Sequence, residues 1–311
     1  MHQTIEGRSI DPQYDPDEGG NFIFGWPGGG KSRLIQSNPR AIIIGLDPTY
    51  KRTWNPEDLG LPPSHRAFIY PDDLPGNENK SVRDLAQQRK WASVEKFLER
   101  LKTNPMEGYT QLYFDSYTSM KAVLQTHISK TANPPEKRQA LFGGFGDVAS
   151  QYTWTVLNEQ LSRWAFDLMP SGLAVGYTFH LQHPTVKNAD GSSTEDTSRW
   201  VPSNITSNLW GQMSPLPSNI VVVEKKTQRG RSRADEPTYT TRLHVDPSKM
   251  QGVCKVRSRS FIPPETDLDP TLPPWEAYRR LFTNLPPENT PENTPENKSE
   301  NKSENTTENK S

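Results

Sequence analysis

The fold is decided by the stretch Gly25-Trp26-Pro27-Gly28-Gly29-Gly30-Lys31-Ser32, which fits G-x-x-x-x-G-K-[ST] at every fixed position. Glycine lets successive backbone N–H groups turn inward around an anion, because no Cβ obstructs the turn. An apolar run, Asn21 to Phe24, precedes the stretch, and Lys31 to Gln36 is predicted to be helical. The N-terminus of that helix would add the positive end of its dipole. The stretch therefore predicts a polyphosphate cradle, or P-loop, rather than a plain glycine-rich turn.

The chemistry of the cradle assigns a role to each side chain. Lys31 is expected to reach the β- and γ-phosphates of a nucleoside triphosphate, and the Ser32 hydroxyl is expected to ligate Mg²⁺. The predicted nucleotide contacts are Gly25, Trp26, Pro27, Gly28, Gly29, Gly30, Lys31, Ser32 and Arg33.

Further apolar runs alternate with helical patterns in the first half of the chain, which predicts an α/β fold with a mostly parallel twisted sheet flanked by helices. Closely spaced strands later in the chain predict an antiparallel C-terminal extension. The predicted strands are Asn21–Phe24, Ala41–Asp47, Gln111–Ser116, Gly172–His180, Asn219–Glu224, Tyr239–Val245 and Gly252–Arg257, and the predicted helices are Ser81–Lys102, Met120–Ser129 and Val148–Met169.

Two acids end predicted strands. Asp115 follows Leu112 to Phe114, and at the carboxyl end of a neighbouring parallel strand it would face the Mg²⁺ beside the P-loop. Asp47 ends the second strand and is interpreted either as a general base for hydrolysis or as an Asp-Pro turn former. We expect Lys31, Asp47 and Asp115 to carry the chemistry.

His180 and Gln182 stand at the end of another predicted strand. A polar group there could sense the γ-phosphate and pass its state to the loop that follows. The alternative is a purely structural histidine at a strand end.

Bulk composition sets the class of protein. The formal net charge of -1 argues against histone-like affinity for nucleic acid, and the single cysteine, Cys254, excludes an intramolecular disulfide. No run approaches the roughly 20 apolar residues of a membrane helix. We therefore expect a cytoplasmic protein that does not enter a membrane.

Three segments are predicted. Residues 1–19 are polar and are expected to form a flexible arm, and residues 20–285 are expected to form the nucleotide-binding domain. Residues 286–311 repeat Pro-Glu-Asn-Thr and Glu-Asn-Lys-Ser and contain no apolar residue, so they are expected to be a disordered tail.

Taken in order, the P-loop and the strands ending at Asp47, Asp115 and His180 resemble the core of the RecA-like P-loop ATPases. In detail the chain looks like phage-encoded members of that group, some of which are single-strand annealing recombinases. The resemblance covers about residues 20–285 and implies ATP and Mg²⁺ as ligands, and the cytoplasm of a bacterial host as the compartment. The segment Gly252 to Pro264 resembles the late basic strand of that family.

The resemblance also implies partners. Lys255, Arg257 and Arg259 become candidates for cations that act on the ATP site of a neighbouring subunit, which would require a homo-oligomer. Residues 130–146 and 182–217 correspond to the two loops that face single-stranded DNA. These loops contain Lys130, Lys137, Arg138, Lys187, Arg199 and Trp200, a set of cations with an aromatic residue that suits a DNA backbone and its bases.

Three functions are compatible with these patterns. The favoured one is a Mg²⁺-dependent ATPase that acts on single-stranded DNA in recombination, annealing or replication. The second is a nucleotide-gated binding or assembly module with little turnover and no DNA role. The third is a small-molecule kinase, for which the loop 182–217 is the available lid.

Overall fold

The computed structural model describes the following residues: 15–17, 19–46, 59, 61, 68–69, 80–131, 142–143, 148–149, 159–160, 163–164, 167–203, 205, 210–211, 213–228, 238–245, 248–250, 254, 256 and 262–283. The predicted tail at 286–311 lies outside these residues.

A nine-stranded mixed sheet forms the centre of the described part of the chain. Its strands are β1 (Asn21–Gly25), β2 (Ala41–Gly45), β3 (Phe68–Ile69), β4 (Gln111–Asp115), β7 (Ala174–Gln182), β10 (Val201–Pro202), β11 (Asn219–Gln228), β12 (Thr238–His244) and β13 (Glu265–Asp267). Two small hairpins are β5 (Phe142–Gly143) with β6 (Val148–Ala149), and β8 (Thr185–Lys187) with β9 (Ser193–Glu195). The helices are α1 (Lys31–Gln36), α2 (Lys80–Thr103), α3 (Tyr117–Thr131) and α4 (Pro274–Thr283).

The strand order is β13-β12-β11-β1-β7-β4-β2-β3. Strands β11, β1, β7, β4, β2 and β3 pair in parallel, whereas β12 and β13 are added antiparallel to β11. The mixed α/β fold, its mostly parallel sheet and its antiparallel extension are therefore confirmed. β1 is central, with β7 on one side and β11 on the other.

Alternation along the strands gives the sheet two apolar faces. Phe22 and Phe24 of β1 face the layer built by α2 and α3, where Trp91, Leu98 and Leu124 are fully buried. Ile23, Val221 and Val223 face the opposite layer, which contains α1 and α4. We call the second side the α1 face.

Local predictions were wrong in several places. Residues 148–149 form strand β6, so the predicted helix from Val148 cannot begin there, although 159–160 and 163–164 are helical. The third strand of the extension is β13, whereas Cys254 and Val256, inside the predicted strand 252–257, are not in a strand. The segment 182–217, predicted to have little regular structure, contains β8, β9 and β10.

Buried amides mark the edge of the sheet where the parallel strands begin. Asn21, Gln111 and Asn219, the first residues of β1, β4 and β11, are fully buried. Asn219 donates to Asn21 Oδ1 at 2.7 Å, and the Tyr278 hydroxyl of α4 donates to the same oxygen at 3.0 Å. These bonds satisfy groups that would otherwise be costly to bury, and they fix the register of the strands.

The segment before β1 is held against α4. Arg279 donates to Asp15 Oδ2 at 2.8 Å, and the Trp275 indole donates to Asp17 Oδ1 at 2.8 Å. Asp17 is only 2% exposed. The predicted flexible arm therefore does not extend to residues 15–17.

Candidate functional site

The glycine-rich stretch connects β1 to α1 at the carboxyl edge of the sheet. Gly28 has φ +74° and Gly30 has φ +94°, both in the left-handed region that favours glycine. A Cβ on Gly25 would collide with the Val223 carbonyl oxygen of β11. Glycine is thus required at Gly25 by close packing, and at Gly28 and Gly30 by backbone conformation.

Lys31 is buried at the centre of this turn, with 5% of its surface exposed. Its Nζ donates to the carbonyl oxygens of Gly25 and Trp26, each at 2.9 Å. Burial lowers the Lys31 pKa to about 8, while the charge of Asp115 acts in the opposite direction. A cation that is desolvated in this way gains most from a nearby anion.

Asp115 is the last residue of β4 and is 4% exposed. Thr178 of β7 donates a hydrogen bond to its Oδ1. Thr178 and His180 share one face of β7, and His180 Nδ1 is 3.4 Å from Lys31 Nζ, so the carboxylate of Asp115 is held on the side of the sheet where Lys31 lies. The strand that carries Asp115 is not the neighbour of β1, however, because β7 lies between them.

His180 lies beside the cradle. It pairs with Gly25 across β1 and β7, and its Nδ1 is 3.4 Å from Lys31 Nζ. Gln182, two residues further along β7, is exposed and pairs with Val201 of β10. Of the two predicted sensors, His180 is the one in contact with Lys31 in the described structure.

An aromatic cluster extends from the P-loop toward the segment 182–217. The ring of Trp26 is 4.8 Å from that of His183 and 6.4 Å from that of Trp200. Trp200 also packs edge-on against His244, and Lys249 Nζ lies 5.2 Å from its centroid. Trp200 is therefore half-buried by protein contacts and is not a freely exposed stacking surface.

Several predicted site residues fall outside the described ranges, namely Asp47, Lys137, Arg138, Lys255, Arg257 and Arg259. The same holds for the side chain of Lys130. Leu46, which precedes Asp47, donates its N–H to the Asp115 carbonyl oxygen at 3.1 Å. Arg33 is exposed and Ser32 half-exposed on the first turn of α1, and Lys187 and Arg199 are exposed in the segment 182–217.

Sequence reasoning missed Thr178 and His183. Thr178 shares the α1 face of β7 with His180, so the two-residue period of the strand contained the signal for it. His183 gave no such signal, because its contact with Trp26 depends on how β7 ends. Lys90 was also missed; it is buried and donates to the Leu46 carbonyl oxygen at 3.2 Å.

The donor set fits Mg²⁺ better than a transition metal. Mg²⁺ is commonly held by one or two carboxylates together with substrate phosphates, and Asp115 with the Ser32 hydroxyl supplies donors of this kind. Within the described ranges, no group of three or more His, Cys, Asp or Glu side chains could hold a metal ion by itself. Any Mg²⁺ bound here would take its remaining ligands from water or from phosphate oxygens.

Comparisons with known proteins add no assignment. No model of a protein family matches the chain, and no curated protein does. Among the described helices, none combines the length and apolar character needed to span a membrane.

Proposed function

We propose that this protein is a Mg²⁺-dependent P-loop ATPase of the RecA-like type that acts on single-stranded DNA. The observation that carries the nucleotide half is the position of Lys31. Its ammonium is buried at the mouth of a glycine turn, on the same side of the sheet as Asp115. Burying a lysine costs free energy, and a polyphosphate held by the surrounding N–H groups would offset that cost.

The sheet topology supports the same proposal. In open α/β sheets, ligands bind outside the carboxyl ends of the strands, where connections leave in different directions. Here α1 follows β1 on one face of the sheet, and α3 follows β4 on the other. Asp115, Thr178 and Lys31 converge at the carboxyl ends of these strands.

Each residue then has a task in hydrolysis. Lys31 and the cradle N–H groups would hold the β- and γ-phosphates, and Ser32 and Asp115 would hold Mg²⁺, whose charge would stabilise the phosphate oxygens. Water attacks the γ-phosphorus and the bond to the β–γ bridging oxygen breaks, which releases ADP and phosphate. Asp47 is proposed to take the proton of the attacking water.

The DNA half of the proposal is supported by the contacts at the end of β7. His180 lies against Lys31, and His183 lies against Trp26. His180 precedes the segment 182–217 and His183 lies within it, and this segment carries exposed Lys187 and Arg199. A change at the γ-phosphate would therefore alter, through these two contacts, the conformation of the segment proposed to bind DNA. Lys255, Arg257 and Arg259 are proposed to complete the site from a neighbouring subunit.

The test is a phosphate-release assay across nucleotides, with and without single-stranded DNA, over a range of protein concentrations. ATP turnover that DNA accelerates supports the whole proposal. A specific activity that rises with protein concentration supports the trans-acting cations. Retention of ATP with negligible phosphate release would instead favour a nucleotide-gated module.

Lys31→Ala is the matched variant for this assay, with the exposed Lys96→Ala of α2 as control. Loss of charge-assisted bonds of about 1.5–3 kcal/mol each should weaken ATP binding by at least roughly tenfold. Circular dichroism and the melting temperature should stay near those of the wild type. Unchanged ATP affinity in Lys31→Ala would show that the cradle is misassigned.

A further inference from the structure

An exposed tyrosine lies on β12, two strands from β1 and on the side of β1 away from Asp115. Tyr239 of β12 is 52% exposed, one of the three large apolar side chains most exposed in the described part of the chain. Lys225 Nζ of β11 lies 3.5 Å from the centroid of its ring. The ammonium covers one face of the ring, and the exposure leaves the other available.

Register places this pair on the α1 face. Thr241 pairs with Lys225, and Leu243 pairs with Val223, which is buried on the α1 face. Residues two apart on a strand share a face, so Tyr239, Thr241 and Lys225 all lie on that side. The α1 face is also the side of Lys31.

Thr241 connects the pair to the cradle. Its Oγ1 is 3.8 Å from the position that a Cβ on Gly30 would occupy. Tyr239 lies two residues before Thr241 on β12, about 7 Å away. The distance from the Tyr239 ring to the P-loop backbone is thus shorter than an extended nucleotide.

The direction in which a nucleotide would run follows from the strand order. Asp115 and His180 are on β4 and β7, on one side of β1, whereas β11 and β12 are on the other. A triphosphate whose γ-phosphate points toward Asp115 and His180 has its ribose and base on the β11–β12 side.

We propose that Tyr239, backed by Lys225, is the platform on which the base of the bound nucleotide stacks. This inference rests on the proposed nucleotide-binding function and assigns the nucleoside end of the same site. The phenol ring is a tolerant partner for a purine face, because stacking requires only a π-face and little hydrogen bonding. The cradle would bind the phosphates, and Tyr239 would distinguish a nucleotide from inorganic polyphosphate.

The experiment compares Mg²⁺-ATP with Mg²⁺-tripolyphosphate by calorimetric titration of the full chain. The variants are Tyr239→Ala, Tyr239→Phe and, as an exposed apolar control on another surface, Met169→Ala. Wild type and Met169→Ala should prefer ATP. Tyr239→Ala should lose roughly tenfold or more in ATP affinity. Its tripolyphosphate affinity should remain within about twofold of wild type, and Tyr239→Phe should keep the preference.

The possible failures are distinguishable. A wild type that binds neither ligand overturns the cradle and the platform together. A wild type that binds both equally, or a Tyr239→Ala variant with unchanged ATP affinity, overturns the platform and leaves the cradle intact. Tyr239→Ala that binds ATP normally but has lost affinity for a single-stranded oligonucleotide would assign the ring to nucleic acid instead. Equal losses for ATP and tripolyphosphate would mean that the ring only supports the P-loop.

Discussion

Thr178 donates a hydrogen bond to Asp115 across the neighbouring parallel strands β7 and β4. Both side chains are buried, so the bond fixes the carboxylate at the carboxyl edge of the sheet. A hydrogen-bond partner orients a metal-binding carboxylate, and loss of such a partner typically lowers metal affinity or activity by roughly 10- to 100-fold.

Thr178→Val should therefore weaken Mg²⁺-dependent ATP turnover by roughly 10- to 100-fold, through the loss of this orientation. Nucleotide binding in the presence of a chelator should change little. Thr178→Ser keeps the hydroxyl and should restore most of the activity. A valine variant with a normal Mg²⁺ requirement would show that Thr178 only packs the sheet.

Asp115→Asn tests the metal role itself. The amide keeps the shape but has one acceptor oxygen and no charge, so Mg²⁺-dependent activity should fall more than metal-free nucleotide binding. The measurement is a Mg²⁺ titration of phosphate release beside ATP binding in the presence of a chelator. Equal losses in the two would count against metal binding by Asp115.

Lys31 should make nucleotide affinity depend on pH. Its pKa in the empty protein is lowered by burial to about 8, and a bound polyphosphate would raise it. ATP affinity should then be flat below pH 8 and fall by up to about tenfold per pH unit above it, as the lysine loses its proton before binding. Arginine keeps its charge over this range, so Lys31→Arg should bind without that fall.

The stability of the empty protein should respond in the opposite sense. The folded-state pKa of Lys31 lies below 10.5, the ordinary lysine value expected for the unfolded chain. The unfolded chain therefore binds the proton more tightly, and this residue adds stability as the pH rises from about 8 to 10.5. Urea melts across that range, with Lys31→Met as reference, provide the check.

Gly28 and Gly191 form a matched pair. Both have positive φ, +74° and +81°, and at both positions a Cβ would meet open space. Alanine at either position should cost about 1 kcal/mol of stability because of backbone strain alone. Only Gly28→Ala should also weaken ATP binding, as calorimetry would show. Equal ATP affinities for the two variants would show that Gly28 is not part of the nucleotide-binding turn.

Sequence was sufficient for features that are local. The two strands ending at Gly25 and Asp115 are confirmed because short apolar runs bounded by glycine or an acid are strong signals. The helix predicted at 81–102 is also confirmed, as α2. The insertion of β7 between β1 and β4 could not be read from the chain, because spatial order is a tertiary property.

Short elements escaped prediction for a different reason. Strands of two or three residues, such as β6 and β8, are too short to show a two-residue period. The contacts of Asp17 with Trp275 and of Lys31 with His180 join residues far apart in sequence. Such contacts depend on the assembled sheet, and no window of sequence contains both partners.

The bonds that join α4 to the segment before β1 have a consequence for biosynthesis. Asp17, Asn21 and Ser37 each accept a hydrogen bond from α4, more than 230 positions later. A nascent chain must expose these acceptors until residue 283 has left the ribosome. The surroundings of β1 are thus completed only after α4 has been synthesised, and a chain truncated before Pro274 should depend on chaperones rather than fold as a smaller version of the protein.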